Sequence, residues 1–193
     1  MLTAEEFAEC RHDLPDGGRW TELEQGKPFA HDPPDEAHGN AVLNLSKLLA
    51  TDLHGRVAEQ TGYACFELGL IVARGPDVVR FPAVSFFTEG DRFAMLDEIV
   101  TENCPKLVIE IASTNTRRRE ANSRVEAYHA FGIEEVWVLD SIDKTVHICR
   151  NSGETRSPSG DQQFTGKPIL PELITRPDDL FAPPEWWSNP SLP

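Results

Sequence analysis

The stretch from Pro105 to Asp140, PKLVIEIASTNTRRREANSRVEAYHAFGIEEVWVLD, constrains the fold more than any other part of the chain. The apolar run Leu107-Val108-Ile109 is interrupted by Glu110 and resumes at Ile111. A polar break from Ser113 to Thr116, a charged segment of helical spacing and, after Gly132, a second apolar run from Val136 to Leu139 follow. Two short apolar runs around a helix-patterned segment read as strand, helix, strand. Such strands are buried on both faces, which makes Glu110 the odd residue. A carboxylate there costs on the order of several kcal/mol unless something pairs with it or binds to it. Two readings stand side by side: a strand-end glutamate whose head reaches solvent or an arginine, and a metal ligand or catalytic acid.

Within the helix, Asn115 or Thr116 is placed to cap, and Arg117, Arg118 and Arg119 follow in the first turn. Cations there oppose the helix dipole by roughly a few tenths of a kcal/mol each. They form either a solvated surface run or a group facing an anion, a carboxylate or a phosphate, for which the planar arginine fork is suited. Ala121, Val125 and Tyr128 form the buried stripe. Glu120 and Arg124, four apart, share a face at its edge. One reading is an ordinary intrahelical ion pair. The other is that Glu110, Glu120 and Arg124 converge, because the helix aims its first turns back across the end of the Glu110 strand.

The rest of the chain supports one domain over residues 1–181 with a proline- and tryptophan-rich arm over 182–193. A length of 193 residues with 39% hydrophobic content is enough for a real core. The net charge of -14 argues against broad non-specific binding to phosphate backbones, while leaving room for a local basic patch or a metal-bridged site. The four cysteines, Cys10, Cys65, Cys104 and Cys149, are far apart, and a zinc site is not expected. With no signal-peptide pattern and no apolar run of membrane-spanning length, a reduced cytoplasmic protein is expected.

Taken in order, Thr3 and Glu6 have the spacing of a capping box on a short helix. Arg19 to Ala30 reads as a hairpin turning at Gln25-Gly26, with Glu22 expected to face solvent from its first strand. A helix with the stripe Val42, Leu45, Leu49 and Leu53 runs to about Gly55, and His38, on the same stripe at its entrance, is read as a capping or packing residue, with a site role as the alternative. Tyr63 to Ala73 and Val78 to Phe87 read as two strands joined at Arg74 to Asp77. Pro82 makes the second an edge, bulged or interrupted strand. Phe93 to Val100 reads as a weak helical or irregular connection. After Asp140 come a turn, a strand over Thr145 to Cys149, a polar loop over Asn151 to Asp161, and short strands or extended segments over Gly166 to Leu180. Trp186 and Trp187 lie in an arm expected to pack on the body or on a partner subunit. This order suits an α/β fold with a central mixed sheet flanked by helices.

TELEQG (Thr21 to Gly26), VRFPAVSFF (Val79 to Phe87), LVIEIASTNTRRRE (Leu107 to Glu120), RVEAYHAFGIEEVWVLD (Arg124 to Asp140) and FTGKPILPEL (Phe164 to Leu173) together resemble the Uma-type family, classed as restriction endonucleases of the PD-(D/E)XK nuclease fold. The resemblance runs from about Thr3 to Phe181. It implies a restriction-endonuclease-like core with an N-terminal hairpin and extra C-terminal strands, and metal-dependent phosphodiester hydrolysis by analogy of fold.

By this resemblance Glu22 matches an early hairpin glutamate, Glu110 the strand carboxylate, and Glu120 a position where the family commonly has an aspartate. Two positions depart from the pattern. Ala83 stands where a metal-binding aspartate follows the proline, and Arg124 stands where the family has a lysine. A hard cation such as Mg²⁺ is held by one or two carboxylates with water and substrate phosphate, so the missing aspartate removes a ligand. Arginine keeps the positive charge but cannot exchange a proton with water. The resemblance therefore implies an endonuclease with impaired catalysis, using Mg or Mn if active. The alternative is a non-catalytic binding or regulatory module. Catalytic candidates are Glu110, Arg124, Glu22 and Glu120; Arg117, Arg118 and Arg119 are candidates for phosphate. Glu67 could join Glu110 as a metal ligand if it lies opposite position 83 on the same face; a slip of one residue would turn it away. Nucleic acid is the partner implied, with a homodimer plausible for cutting both strands.

Overall fold

The computed structural model describes residues 1–54, 62–90, 98–184 and 187. Thr3 caps α1 (Ala4–Cys10): its hydroxyl accepts from the Glu6 N–H, and the Glu6 carboxylate accepts from the Thr3 N–H, as the spacing predicts. A 3-10 turn (Arg11–Asp13) leads toward the hairpin β1 (Thr21–Glu24) and β2 (Lys27–Ala30). Its turn residues Gln25 and Gly26 take φ of 48° and 72°, which suits the twist of a two-residue hairpin. Then come α2 (Glu36–His54), β3 (Tyr63–Phe66), β4 (Gly69–Ala73), β5 (Val78–Arg80), β6 (Val84–Phe87), β7 (Val100–Thr101), β8 (Leu107–Ala112), α3 (Asn115–Phe131) and β9 (Glu135–Asp140). The chain continues through β10 (Thr145–Arg150), β11 (Thr155–Arg156), β12 (Phe164–Gly166), β13 (Leu170–Thr175) and α4 (Pro177–Leu180).

The central sheet is mixed, in the order β11-β10-β9-β8-β6-β3, with β8 and β9 parallel and the other neighbours antiparallel. Its faces follow from the two-residue period of a strand. Leu107, Ile109 and Ile111 of β8 join Trp137 and Leu139 of β9 against Ala41, Leu45 and Leu49 of α2. Val108 and Ala112 join Val136 and Val138 against Tyr128 of α3. Glu110, alternating with Ile109 and Ile111, therefore belongs to the α3 side. That helix is capped by Thr114, whose hydroxyl accepts from the Arg117 N–H at 3.3 Å, and not by Asn115 or Thr116 as expected. It ends at Gly132, at φ 112°.

The region from Tyr63 to Phe87 departs from the two long strands expected. Each run breaks and changes sheet. β3 pairs with β6 in the central sheet, whereas β4 and β5 pair in a second sheet of order β2-β1-β5-β4-β7. Pro82 has no N–H for a ladder, and Glu67 takes φ of 52°, so both strands bend at the same level. Gly69 lies at this crossing: a Cβ there would sit 2.8 Å from the Ile99 carbonyl oxygen and from the Phe81 ring. The polar loop after β10 contains the short β11, and β12 and β13 form a two-stranded sheet of their own.

The expected irregular connection at Phe93 to Val100 falls mostly on residues 91–97, outside the described residues; Val100 itself begins β7. Trp186 and most of the C-terminal arm also lie outside them, and Trp187 is exposed. No helix among the described residues is long and apolar enough to cross a membrane.

Candidate functional site

The guanidinium of Arg124 lies between the carboxylates of Glu22 and Glu110. Nη1 and Nη2 donate to the two oxygens of Glu22 at 2.7 and 2.9 Å. Nε and Nη2 donate to Oε1 of Glu110 at 3.0 and 2.7 Å. The Tyr128 hydroxyl, one turn along α3, donates to the same Glu110 oxygen. The site thus draws one residue from the hairpin, one from the central strand and two from α3. Arg124 does not make the intrahelical pair with Glu120 that the spacing allows. Glu120 instead sits 4.0 Å from Nδ1 of His31, whose Nε2 is 3.1 Å from Glu22.

Glu22 was expected to face solvent. It is 5% exposed, because Arg124 of α3 and Arg80 and Phe81 close over its carboxylate. Its two oxygens also accept from the Phe81 N–H at 2.9 Å and from Arg80 Nη1 at 3.1 Å, and Arg80 reaches Glu24 as well. Burial pushes the Glu22 carboxyl up, but Arg124, His31 and Arg80 outweigh it and hold the group well below the usual carboxylate range. For Arg124, burial works against the charged form, but Glu110, Tyr128 and Glu22 hold it well above the usual arginine value. Burial pushes the Tyr128 hydroxyl well up, with Arg124 opposing and Glu110 reinforcing. The cluster is an ion network with every charge answered, the condition under which buried charge is tolerated.

Beside it lies a cavity of about 40 Å³ lined by Arg11, Glu22, His38, Glu67, Ala83, Glu110 and Arg117, among others. That is room for a few waters or one small polar group, not for a nucleotide base. Glu67 does lie opposite Ala83: Phe66 pairs with Val84, and the Glu67 N–H is 3.4 Å from the Ala83 carbonyl oxygen. Both line the cavity, yet the methyl of Ala83 supplies no ligand. The three arginines of α3 separate. Arg118 pairs with Asp140 at 2.6 Å and also with Asp143. Arg119 donates to Thr116 at 3.2 Å. Arg117 lines the cavity. Of the cavity residues, His38 had a site role only as the second of its sequence readings, and Arg11 was not among the candidates. The apolar stripe shared by His38 and α2 gave the one signal, and Arg11 gave none.

A divalent cation does not fit the donor set as it stands. Both Glu22 oxygens and Oε1 of Glu110 already accept from cationic donors, and among the described residues no three His, Cys, Asp or Glu side chains are grouped to hold a metal ion. Arg124 stands as a fixed cation at the centre of the carboxylates.

A mixed sheet covered by helices, with a glutamate pair and a helix-borne arginine at the seam of two sheets, defines an α/β protein built around a buried ion network. The Uma2 family model, described as "Putative restriction endonuclease", matches residues 4–178, and the chain belongs to that family. A crystal structure from Anabaena variabilis, described as a "putative nuclease belonging to DUF820", superposes with a TM-score of 0.73 at 19% identity, covering 94% of this chain and 98% of the other. At that identity the likeness establishes the fold. No curated protein matches the chain.

Proposed function

We propose that this chain is a nuclease-fold protein of the restriction-endonuclease type in which metal-dependent phosphodiester hydrolysis is impaired. The observation that carries the reading is the bidentate hold of Arg124 on Glu22, with a second hold on Glu110. In the family pattern these carboxylates would serve Mg²⁺ or Mn²⁺; here a guanidinium occupies them. Ala83 withdraws a further ligand, and an arginine cannot take a proton from an attacking water. Glu67 lies within electrostatic reach of Arg11 at the same cavity, and one exposed carboxylate is a weak cage for a hard cation.

Nucleic acid remains the partner class that family membership favours. A homodimer would place two such sites across a duplex. The alternative, a binding module without catalysis, is favoured by Arg117, which faces the cavity with no carboxylate partner among the described residues.

Plasmid cleavage in Mg²⁺ and in Mn²⁺ tests the proposal. The comparison is between the natural protein, Glu110→Ala, Ala83→Asp, and Ala83→Asp combined with Arg124→Lys. Silence from the natural protein with activity in the double variant is the expected result. Strong cleavage by the natural protein that disappears in Glu110→Ala would overturn it.

A further inference from the structure

We infer that the exposed edge of β2 is the surface through which two copies of this chain pair, strand to strand, about a two-fold axis at Phe29. The inference gives the homodimer of the proposed function its interface. It rests on that part of the reading alone, not on the state of the Glu22–Arg124–Glu110 cluster.

β2 lies at the end of its sheet, and all four of its residues are exposed. Its register against β1, with the His31 N–H on the Trp20 carbonyl at 2.8 Å, decides which groups face outward. In an antiparallel pair, bonded and non-bonded residues alternate. Phe29 and Lys27 therefore turn their backbone groups to Glu22 and Glu24. The Ala30 N–H and the carbonyls of Pro28 and Ala30 point away from β1. An antiparallel second copy centred on Phe29 accepts the Ala30 N–H on its own Pro28 carbonyl and returns the same bond. Pro28 has no N–H, so the reciprocal bonds from that residue are absent and the contact stays weak.

The side chains match in the same register. Directly opposed strand residues share a face, so Phe29 and Lys27 stand with Glu22 and Glu24 on the side of α3. Phe29 is 51% exposed, with its ring edge-on to His31 at 5.0 Å. It borders a groove of about 500 Å³ whose walls include Val72, Val78 and Ala127. The second copy's Phe29 falls directly opposite, with Cβ atoms about 4.5–5.5 Å apart, and the two rings withdraw each other from water at the mouth of the groove. The second copy's Lys27 falls opposite His31. Glu120 lies 4.0 Å from His31, with 37% of its side chain exposed and no lysine or arginine paired with it among the described residues. Lys27 is exposed and has no carboxylate paired with it among the described residues. Each copy thus presents a cation where the other presents a carboxylate. The edge is complementary to itself in hydrogen bonds, apolar area and charge, which is what an isologous two-fold contact requires.

A contact of this size belongs to the weak class, so sedimentation equilibrium follows the protein up to roughly 500 µM. Salt at about 0.15 M screens the repulsion between two copies of charge -14 beyond about 8 Å. A reversible dimer is expected for the natural protein. Phe29→Ser and Lys27→Glu should each weaken it about tenfold or more. Lys27→Glu combined with Glu120→Lys should recover most of the loss. Ile174→Ser, an equally exposed residue on β13, should change it by less than about twofold. Should the double variant fail to fold, Phe29→Cys in a Cys104→Ser protein carries the test. Opposed Cβ atoms at that spacing admit a disulfide, so oxidised glutathione is expected to join two copies of Phe29→Cys and not of Ile174→Cys. A monomer at every concentration overturns the inference. So does a dimer unchanged in folded Phe29→Ser and Lys27→Glu, a folded double variant no tighter than Lys27→Glu alone, or crosslinking of Ile174→Cys without Phe29→Cys. Plasmid cleavage reads the proposed function separately. A monomer that does not cut leaves impaired hydrolysis standing, and a dimer that cuts keeps the interface and removes the impairment.

Discussion

Arg124 and Glu22 are 102 positions apart in the chain and meet as an end-on fork, with both outer guanidinium nitrogens within 2.9 Å of the two carboxylate oxygens. This contact joins the hairpin sheet to α3. Removing one partner of a buried pair leaves the other charged and unpaired, which costs about 3–5 kcal/mol. Arg124→Gln is therefore expected to lose about that much in urea denaturation. Arg124→Lys should lose less, because it keeps the charge and gives up the fork. Equal loss in both would show that geometry, not charge, carries the stability.

Glu22 sets the acid limb of stability. Its folded pKa lies below the unfolded value of roughly 4.3. Its contribution is therefore complete above that value and fades as pH falls through the lower folded pKa. Denaturation followed from pH 7 to pH 2 should show a limb falling below about pH 5, and Glu22→Gln should flatten it. A limb of equal slope in the variant would place the acid sensitivity elsewhere.

His38 titrates in the opposite direction from a histidine beside a carboxylate. Lowered to about 4, it stays neutral while the unfolded state takes a proton at about 6.5, so it makes stability fall as pH drops between those values. The ring-proton shift in NMR should titrate near 4. Arg117→Gln removes the neighbouring positive charge and should move the titration upward. A midpoint near 6.5 in the natural protein would mean the ring is solvated.

Ala83→Asp should make the cavity better able to hold a cation. It adds a carboxylate beside Glu67, where the register places the two opposite each other. Mn²⁺ is expected to raise the melting temperature of this variant and to leave the natural protein unchanged. A similar rise in both would indicate a cation site that does not depend on position 83.

Tyr128 is fully buried with its hydroxyl on Glu110. Tyr128→Phe removes a hydrogen bond to a charged group and should cost about 1.5–3 kcal/mol in equilibrium unfolding. A cost near zero would mean that the two Arg124 contacts satisfy Glu110 alone.

Local patterns were legible in the sequence, and long-range partners were not. The capping box at Thr3, the hairpin turn at Gln25-Gly26 and the strand–helix–strand unit around Glu110 each depend on residues within a few positions of one another. They stand where the patterns put them. Glu110 was recognised as anomalous for a buried strand, and an arginine was among its two expected partners. Glu22 was read as exposed because four residues of strand do not reveal which sheet will cover them. Arg124 could be assigned to Glu120 by spacing or to Glu110 by convergence; only the packed fold shows it turned inward to Glu110 and Glu22. Pro82 signalled an interruption. The exchange of strands between two sheets also needed the positive φ of Glu67, which the residue type disfavours. Glu67 was set opposite position 83 only on condition that the turn at Arg74 to Asp77 closed a hairpin without a slip; the structure reaches that register through a shift between Ile71 and Ala73, which the sequence did not reveal.

The distance along the chain between Glu22 and Arg124 also bears on the order of assembly. The turn and cap contacts close over a few residues, but the guanidinium can dock only after the hairpin sheet and the central sheet have met, with the loop-closure entropy of some hundred residues to overcome first. Until then the hairpin carries a glutamate without its main counter-ion. The cluster acts as a late latch: its loss should appear mainly as faster unfolding, with refolding little altered, so the lifetime of the native molecule is governed by the same guanidinium that holds the two glutamates.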